Sequence, residues 1–143
     1  MERTTTSPEE FIDSLADDRR EEVRALDAVI TRIFAGHERA MWEGVFYGGT
    51  QQRILGYGLY HYRRRAGAEG EWFVVGIAVQ KDHLTFYATG AEDGQSLIKR
   101  HGAQLGRAKL GSGSATFRRL ADVDLSAVAD IATRARDLMA ATS

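Results

Sequence analysis

Glu71-Trp72-Phe73-Val74-Val75-Gly76-Ile77-Ala78-Val79-Gln80, the turn Lys81-Asp82, and His83-Leu84-Thr85-Phe86-Tyr87-Ala88 decide the fold. β-Branched and aromatic residues dominate both runs, and two polar residues separate them. That pattern predicts strands over 71–80 and 83–88 joined by a tight antiparallel hairpin. Alternation puts Phe73, Val75, Ile77 and Val79 on one face of the first run, with Trp72, Val74, Gly76 and Ala78 on the other. In the second run it separates Leu84, Phe86 and Ala88 from His83, Thr85 and Tyr87.

The same chemistry extends upstream. Strands are predicted over 40–47 and 53–62, separated by Gly48-Gly49, with the polar run Arg63-Arg64-Arg65-Ala66-Gly67-Ala68-Glu69-Gly70 before the next strand. A fifth is predicted over 115–120. Helices flank this block. Ser7-Pro8-Glu9-Glu10 opens a short one through a capping box, with proline at the first helical position. Asp17-Asp18 opens a second, its stripe Val23, Leu26, Ile30, Ile33 and Phe34 at helical spacing. A third covers 95–105, and Asp124 caps a fourth with the stripe Leu125, Val128, Ile131, Ala132, Ala135, Leu138 and Met139. Residues 1–6 read as a flexible start and Lys109–Ser114 as a flexible loop. The order of elements predicts an α+β domain spanning 1–143, in two layers, with helices packed on one antiparallel sheet of about five strands.

Bulk properties narrow the function. With 143 residues, 43% hydrophobic and 27% charged, the chain fits one ordinary domain. The net charge of −1 gives no general attraction to nucleic acid or anionic membrane. Arg63-Arg64-Arg65 beside Tyr60 and Tyr62 is too small a patch to alter that. No apolar run reaches membrane-spanning length, and no signal-type segment opens the sequence, so a cytoplasmic protein is expected. The absence of cysteine excludes disulfides, thiol catalysis and thiolate zinc sites.

Several segments together resemble the YdhG-like domain family. They are Trp42-Glu43-Gly44-Val45-Phe46-Tyr47-Gly48, the run 71–77, Leu84-Thr85-Phe86-Tyr87, Leu105-Gly106-Arg107-Ala108-Lys109-Leu110-Gly111 and Leu120-Ala121-Asp122-Val123-Asp124-Leu125. The resemblance covers roughly residues 8–140. It implies a two-layer domain with an antiparallel sheet, and, for the members described as frataxin-like, an intracellular iron chaperone. Iron is then the implied cofactor, with Asp13, Asp17, Asp18, Glu21 and Glu22 as its candidate ligands. Such domains often carry a second lysine after the glycine of the Lys-x-Gly loop. Here Ser112 and Gly113 stand after Gly111.

The residues themselves point to the sheet. Gly56, Gly58 and Gly76 interrupt strands, where glycine signals close approach of a ligand or another backbone, or a bend. We expect a shallow groove floored by these three, walled by Tyr60, Tyr62, Trp72, His83 and Tyr87, with Trp42, Glu43 and Tyr47 at one end. Its occupant would be a small molecule, a protein partner or a second copy of the chain. Lys109 beside the Gly/Ser loop offers an anion contact. No zinc-hydrolase or nucleophile-elbow motif occurs. An enzyme would have to assemble Glu43, His61 and His83 through the fold.

Overall fold

The computed structural model describes residues 2–46, 50–63, 67 and 69–142. Tyr47, the Gly48-Gly49 turn and the loop arginines Arg64 and Arg65 lie outside them. In chain order the elements are β1 (Glu2–Arg3), α1 (Pro8–Asp13), α2 (Asp17–Ile33), β2 (Arg39–Phe46), β3 (Thr50–Tyr57), β4 (Tyr60–Arg63), β5 (Glu69–Trp72), β6 (Val75–Val79), β7 (Leu84–Ala88), β8 (Ala91–Glu92), β9 (Gln95–Ser96), α3 (Leu97–His101), a 3-10 turn (Gly102–Leu105), β10 (Lys109–Leu110), β11 (Ser114–Phe117), a second 3-10 turn (Leu120–Asp122) and α4 (Leu125–Thr142).

The architecture is α+β, with antiparallel pairing throughout. Among the described residues the main sheet has seven strands, ordered β1-β2-β3-β6-β7-β11-β10, more than the five the sequence predicts. The additional edge strands are two residues each. Glu2 and Arg3 pair with Glu43 and Trp42 where a frayed start was expected, and Lys109 and Leu110 pair with Thr116 and Ala115. Segments this short carry no readable alternation, so only the register of a neighbour defines them.

Two long predicted strands are each broken. β3 ends at Tyr57 and β6 begins at Val75; between them β4 and β5 form a separate hairpin, with Tyr60 opposite Trp72. Gly58, with φ of +75°, turns the chain out of the main sheet. A side chain there would also press within 2.9 Å of Phe34 and 3.0 Å of Val74. Phe73 and Val74 lie between β5 and β6, outside both strands, and their presence shifts the alternation by one. Phe73 therefore faces away from Val75 and Ile77, contrary to the reading of the run as one continuous strand.

Register then explains the layers, because residues opposite one another across strands share a face. Met41, Leu55, Ile77, Phe86, Ala115 and Leu110 form one transverse row. This row faces Leu26, Ile30, Val128, Ile131, Ala132 and Ala135 of α2 and α4, all within the main core. Burying each large apolar side chain there contributes roughly 1.5–3 kcal/mol.

A buried polar knot fastens the layers. Tyr57 is fully buried and donates its hydroxyl hydrogen to Asp27 Oδ1. Arg39 donates to both Asp27 oxygens, at 3.1 and 2.8 Å, and to Glu9 at 2.6 Å. Burial, then the Asp27 charge, pushes the Tyr57 phenol well above its ordinary range. For Arg39, burial works against the charge, but hydrogen bonds to Asp27 and Glu9 outweigh it and keep the guanidinium ionised. Folded Tyr57 thus retains its proton at pH values where the unfolded phenol, near pKa ~10, gives it up. The native state then binds more protons, so stability falls as pH rises above about 10. Urea titrations at pH 9 to 11 will show a falling midpoint, and Tyr57→Phe will reduce that slope.

Candidate functional site

The face of the sheet away from the helices carries two transverse rows. The first runs Arg3, Trp42, Ile54, Ala78, Thr85, Thr116 and Lys109; the second runs Ala40, Gly56, Gly76, Tyr87 and Ser114. Gly56 and Gly76 do sit side by side here, as the alternation predicts. Their floor is not open, however. A Cβ on Gly56 would lie 2.7 Å from Trp42 Nε1 and 2.8 Å from Phe73 Cβ, and one on Gly76 would lie 2.6 Å from Phe73 Cε1. Trp42 and Phe73 are 3% and 0% exposed, and with Ile54 and Ala78 they make a second small core. The glycines let the chain's own aromatic side chains pack tightly against the sheet. Gly58 does not join this floor, since it packs against Phe34 and Val74 of the main core.

Beside this plug a cavity of about 360 Å³ remains. Trp72, stacked on Phe73 with ring centroids 4.6 Å apart, makes one wall with Tyr60 and Tyr87. The strand end Ala88, Thr89 and Gly90 contributes next, followed by Ser96 and the hairpin residues Ser112, Gly113 and Ser114. That hairpin is more ordered than the flexible loop expected. Gly111 N–H donates to the Ser114 carbonyl at 2.8 Å, and Ala88 N–H to the Gly113 carbonyl at 3.1 Å. Thr89 Oγ1 donates to the Phe73 carbonyl at 3.3 Å, joining the rim to the plug. Among the described residues lining the cavity none is charged.

Tyr60, Trp72 and Tyr87 thus converge as the sequence predicts. Trp42 lies beneath the site rather than in its wall. Glu43 falls on the helix-side face, paired with Arg53 at 3.1 Å, because adjacent residues of a strand point oppositely. His83 lies in the β6–β7 turn, where its carbonyl accepts from Gln80 N–H at 2.9 Å. Tyr62 is on the β4–β5 hairpin. Lys109 shares the face but sits one row away, on the edge strand with Thr116, outside the lining. Thr89, Gly90 and Ser96 were not legible; the clue is Ser96, whose hydroxyl caps Lys99 N–H at 3.1 Å.

A neutral polar ladder continues the face. Tyr87 donates its hydroxyl to Gln52 Oε1 at 3.2 Å, Gln80 Nε2 donates to the same oxygen at 3.1 Å, and Thr85 donates to Gln80 Oε1 at 2.9 Å. Glu43 and His83 lie towards that end of the sheet, whereas His61 lies past Tyr57 on β4, facing Glu71 at 3.8 Å. The fold does not gather the three.

The proposed iron ligands are spread along α1 and α2, and three of the five are matched with arginine. Asp13 pairs with Arg24 at 2.7 Å and Asp17 with Arg20 at 2.6 Å. Glu22 is 9% exposed, accepts Leu120 N–H at 2.7 Å and pairs with Arg19 at 3.1 Å and Arg119 at 3.3 Å. It fastens α2 to the turn before α4. Asp18 and Glu21 are exposed. Among the described residues no group of three or more His, Asp or Glu could hold a metal ion, and no helix is long and apolar enough to cross a membrane.

No family model matches the chain, and no curated protein or solved structure matches it.

The packing makes a sharp forecast. Gly56→Ala inserts a methyl where Trp42 and Phe73 already lie, and overpacking of this kind costs about 1–3 kcal/mol. Urea denaturation will show that loss, whereas Gly94→Ala, whose Cβ meets nothing within 4 Å but whose φ is +80°, will cost only its backbone strain of about 1 kcal/mol.

Proposed function

We propose that this chain is a non-enzymatic binding domain whose ligand is a small, flat, uncharged molecule held against Trp72. The observation that carries the reading is the lining itself: three aromatic rings and several hydroxyls around 360 Å³, with no charged side chain among the described lining residues. That volume lies at the small end of ligand pockets, which are mostly apolar with a few convergent polar groups. A charged ligand would lose hydration there without a counter-ion, at a cost of several kcal/mol. A planar neutral molecule would stack on the indole and exchange hydrogen bonds with Ser96, Ser112 and Ser114. Phe73 behind Trp72 fixes the ring, so little rotamer freedom is lost on binding.

The iron-chaperone reading implied by the YdhG-like resemblance ranks second, because Asp13, Asp17 and Glu22 already have arginine partners. A protein partner or homodimer on this face ranks lower, since Val45, at 59%, is the one large apolar side chain strongly exposed among the described residues.

Saturation-transfer NMR with indole, purine and nicotinamide tests the proposal. At least one will bind saturably, Trp72→Ala will weaken it about tenfold, consistent with ~1–1.5 kcal/mol from ring stacking, and Ser112→Trp will block it. Binding that neither variant alters, or no binding by any probe, contradicts the proposal.

A further inference from the structure

A second cavity, larger at about 580 Å³, opens where the β4–β5 hairpin leaves the main sheet. Gly58 causes it: by turning the chain away after Tyr57, it leaves a wedge between the hairpin and the ends of α2 and α4. Phe34 and Val74, 4% and 3% exposed, form the floor, and Leu59 and Met139 extend it. His37, His61 and Arg136 stand around this apolar floor. No acidic side chain lines the cavity among the described residues.

We infer that this cavity binds a small apolar carboxylic acid, its hydrocarbon part on Phe34, Val74 and Met139 and its carboxylate on Arg136. Apolar surface below and a guanidinium at the rim together select an amphipathic anion, since arginine's planar fork matches a carboxylate in two hydrogen bonds. The end of α2 would ordinarily oppose an anion, because the last carbonyls of a helix carry partial negative charge. Here the Ile30 and Ile33 carbonyls, and that of Phe34 just beyond, are occupied. Phe34 N–H donates to the Ile30 carbonyl at 2.9 Å, His37 N–H to the Phe34 carbonyl at 2.9 Å, and Arg136 Nη1 to the Ile33 carbonyl at 2.9 Å. The last of these also holds the guanidinium in place. Asp137 Oδ1 accepts from both Nε and Nη2 of Arg136, each at 3.0 Å, but Asp137 is 65% exposed, and solvent-exposed pairs of this kind contribute about 0–1 kcal/mol, so a ligand carboxylate on that edge displaces it. Glu71, opposite His61 on β5 and 3.8 Å from it, is not among the lining residues. Tyr60 borders both this cavity and the one beside Trp72, so the variants that test the inference are chosen from residues lining this one alone.

Two sources share the chemistry, an aryl acid and a short fatty acid, and paired probes separate them: phenylacetate against phenylacetamide, and hexanoate against hexanamide, each titrated by NMR. At least one acid will bind about tenfold more tightly than its amide, since a hydrogen bond to a charged group contributes ~1.5–3 kcal/mol. Arg136→Gln will reduce that preference to less than about threefold. Ala140→Trp, which fills the mouth from an exposed position without removing any ion pair, will abolish binding of both acid and amide; circular dichroism checks that each variant folds. Absence of binding by both acids, equal binding of acid and amide, or binding that survives Ala140→Trp overturns the inference.

Discussion

Two neighbouring strands lack side chains at the same height, and the rest of the outer face follows from that. Gly56 and Gly76 face each other in register, and Trp42 and Phe73 lie over them closer than any Cβ would permit. A sheet with one face under helices ordinarily leaves the other face to water. Here Trp42, Ile54, Phe73 and Ala78 make a second dry cluster, with Leu59, Trp72 and Tyr87 packed against it. Once Phe73 is fixed, Trp72 stacks on it and Tyr87 meets it edge-on at 5.9 Å, so the pocket wall is set by packing before any ligand arrives.

The same region shows what sequence reasoning reaches and where it stops. Alternation finds Ile77 and Phe86 on the core face and Tyr87 on the outer one, because each sits within an unbroken strand. It misplaces Phe73, because two residues between β5 and β6 change the parity, and neither Phe73 nor Val74 is a turn former that would announce a break. It marks Gly56 and Gly76 as places where a ligand or another backbone comes close, or the chain bends; the groups that lie there are the chain's own side chains. What approaches is decided by Trp42 from another strand, and no local signal contains that. Glu43 follows Trp42 directly in β2, so period-two geometry sends it to the opposite face rather than to the groove end expected of both. The serine hairpin was visible as a Gly/Ser run, while its position beside Trp72 depends on β11 pairing with β7.

Charge is distributed consistently with this arrangement. Asp13 ties α1 to α2 through Arg24, and Glu22 ties α2 to the turn before α4. Asp27 is used, with Tyr57 and Arg39, to fasten α2 to the sheet. On the far side, Glu92 accepts from His101 at 2.6 Å and Arg134 at 3.2 Å, fixing the short β8–β9 hairpin that carries Ser96 to the pocket rim. The hydrogen bond from His101 and the Arg134 charge hold the Glu92 carboxyl below its ordinary range. Between Arg3 and Lys109 on its edge strands, the outer face carries aromatic rings, hydroxyls and the Gln52–Gln80 amides.

The central claim, that Trp42 plugs the glycine floor while Trp72 lines an accessible wall, is tested most directly by acrylamide quenching of the two single-tryptophan proteins. Trp72→Phe, which leaves Trp42, is predicted to resist quenching, and Trp42→Phe, which leaves Trp72, to be quenched readily. Equal quenching of both, or stronger quenching of Trp42, would contradict it.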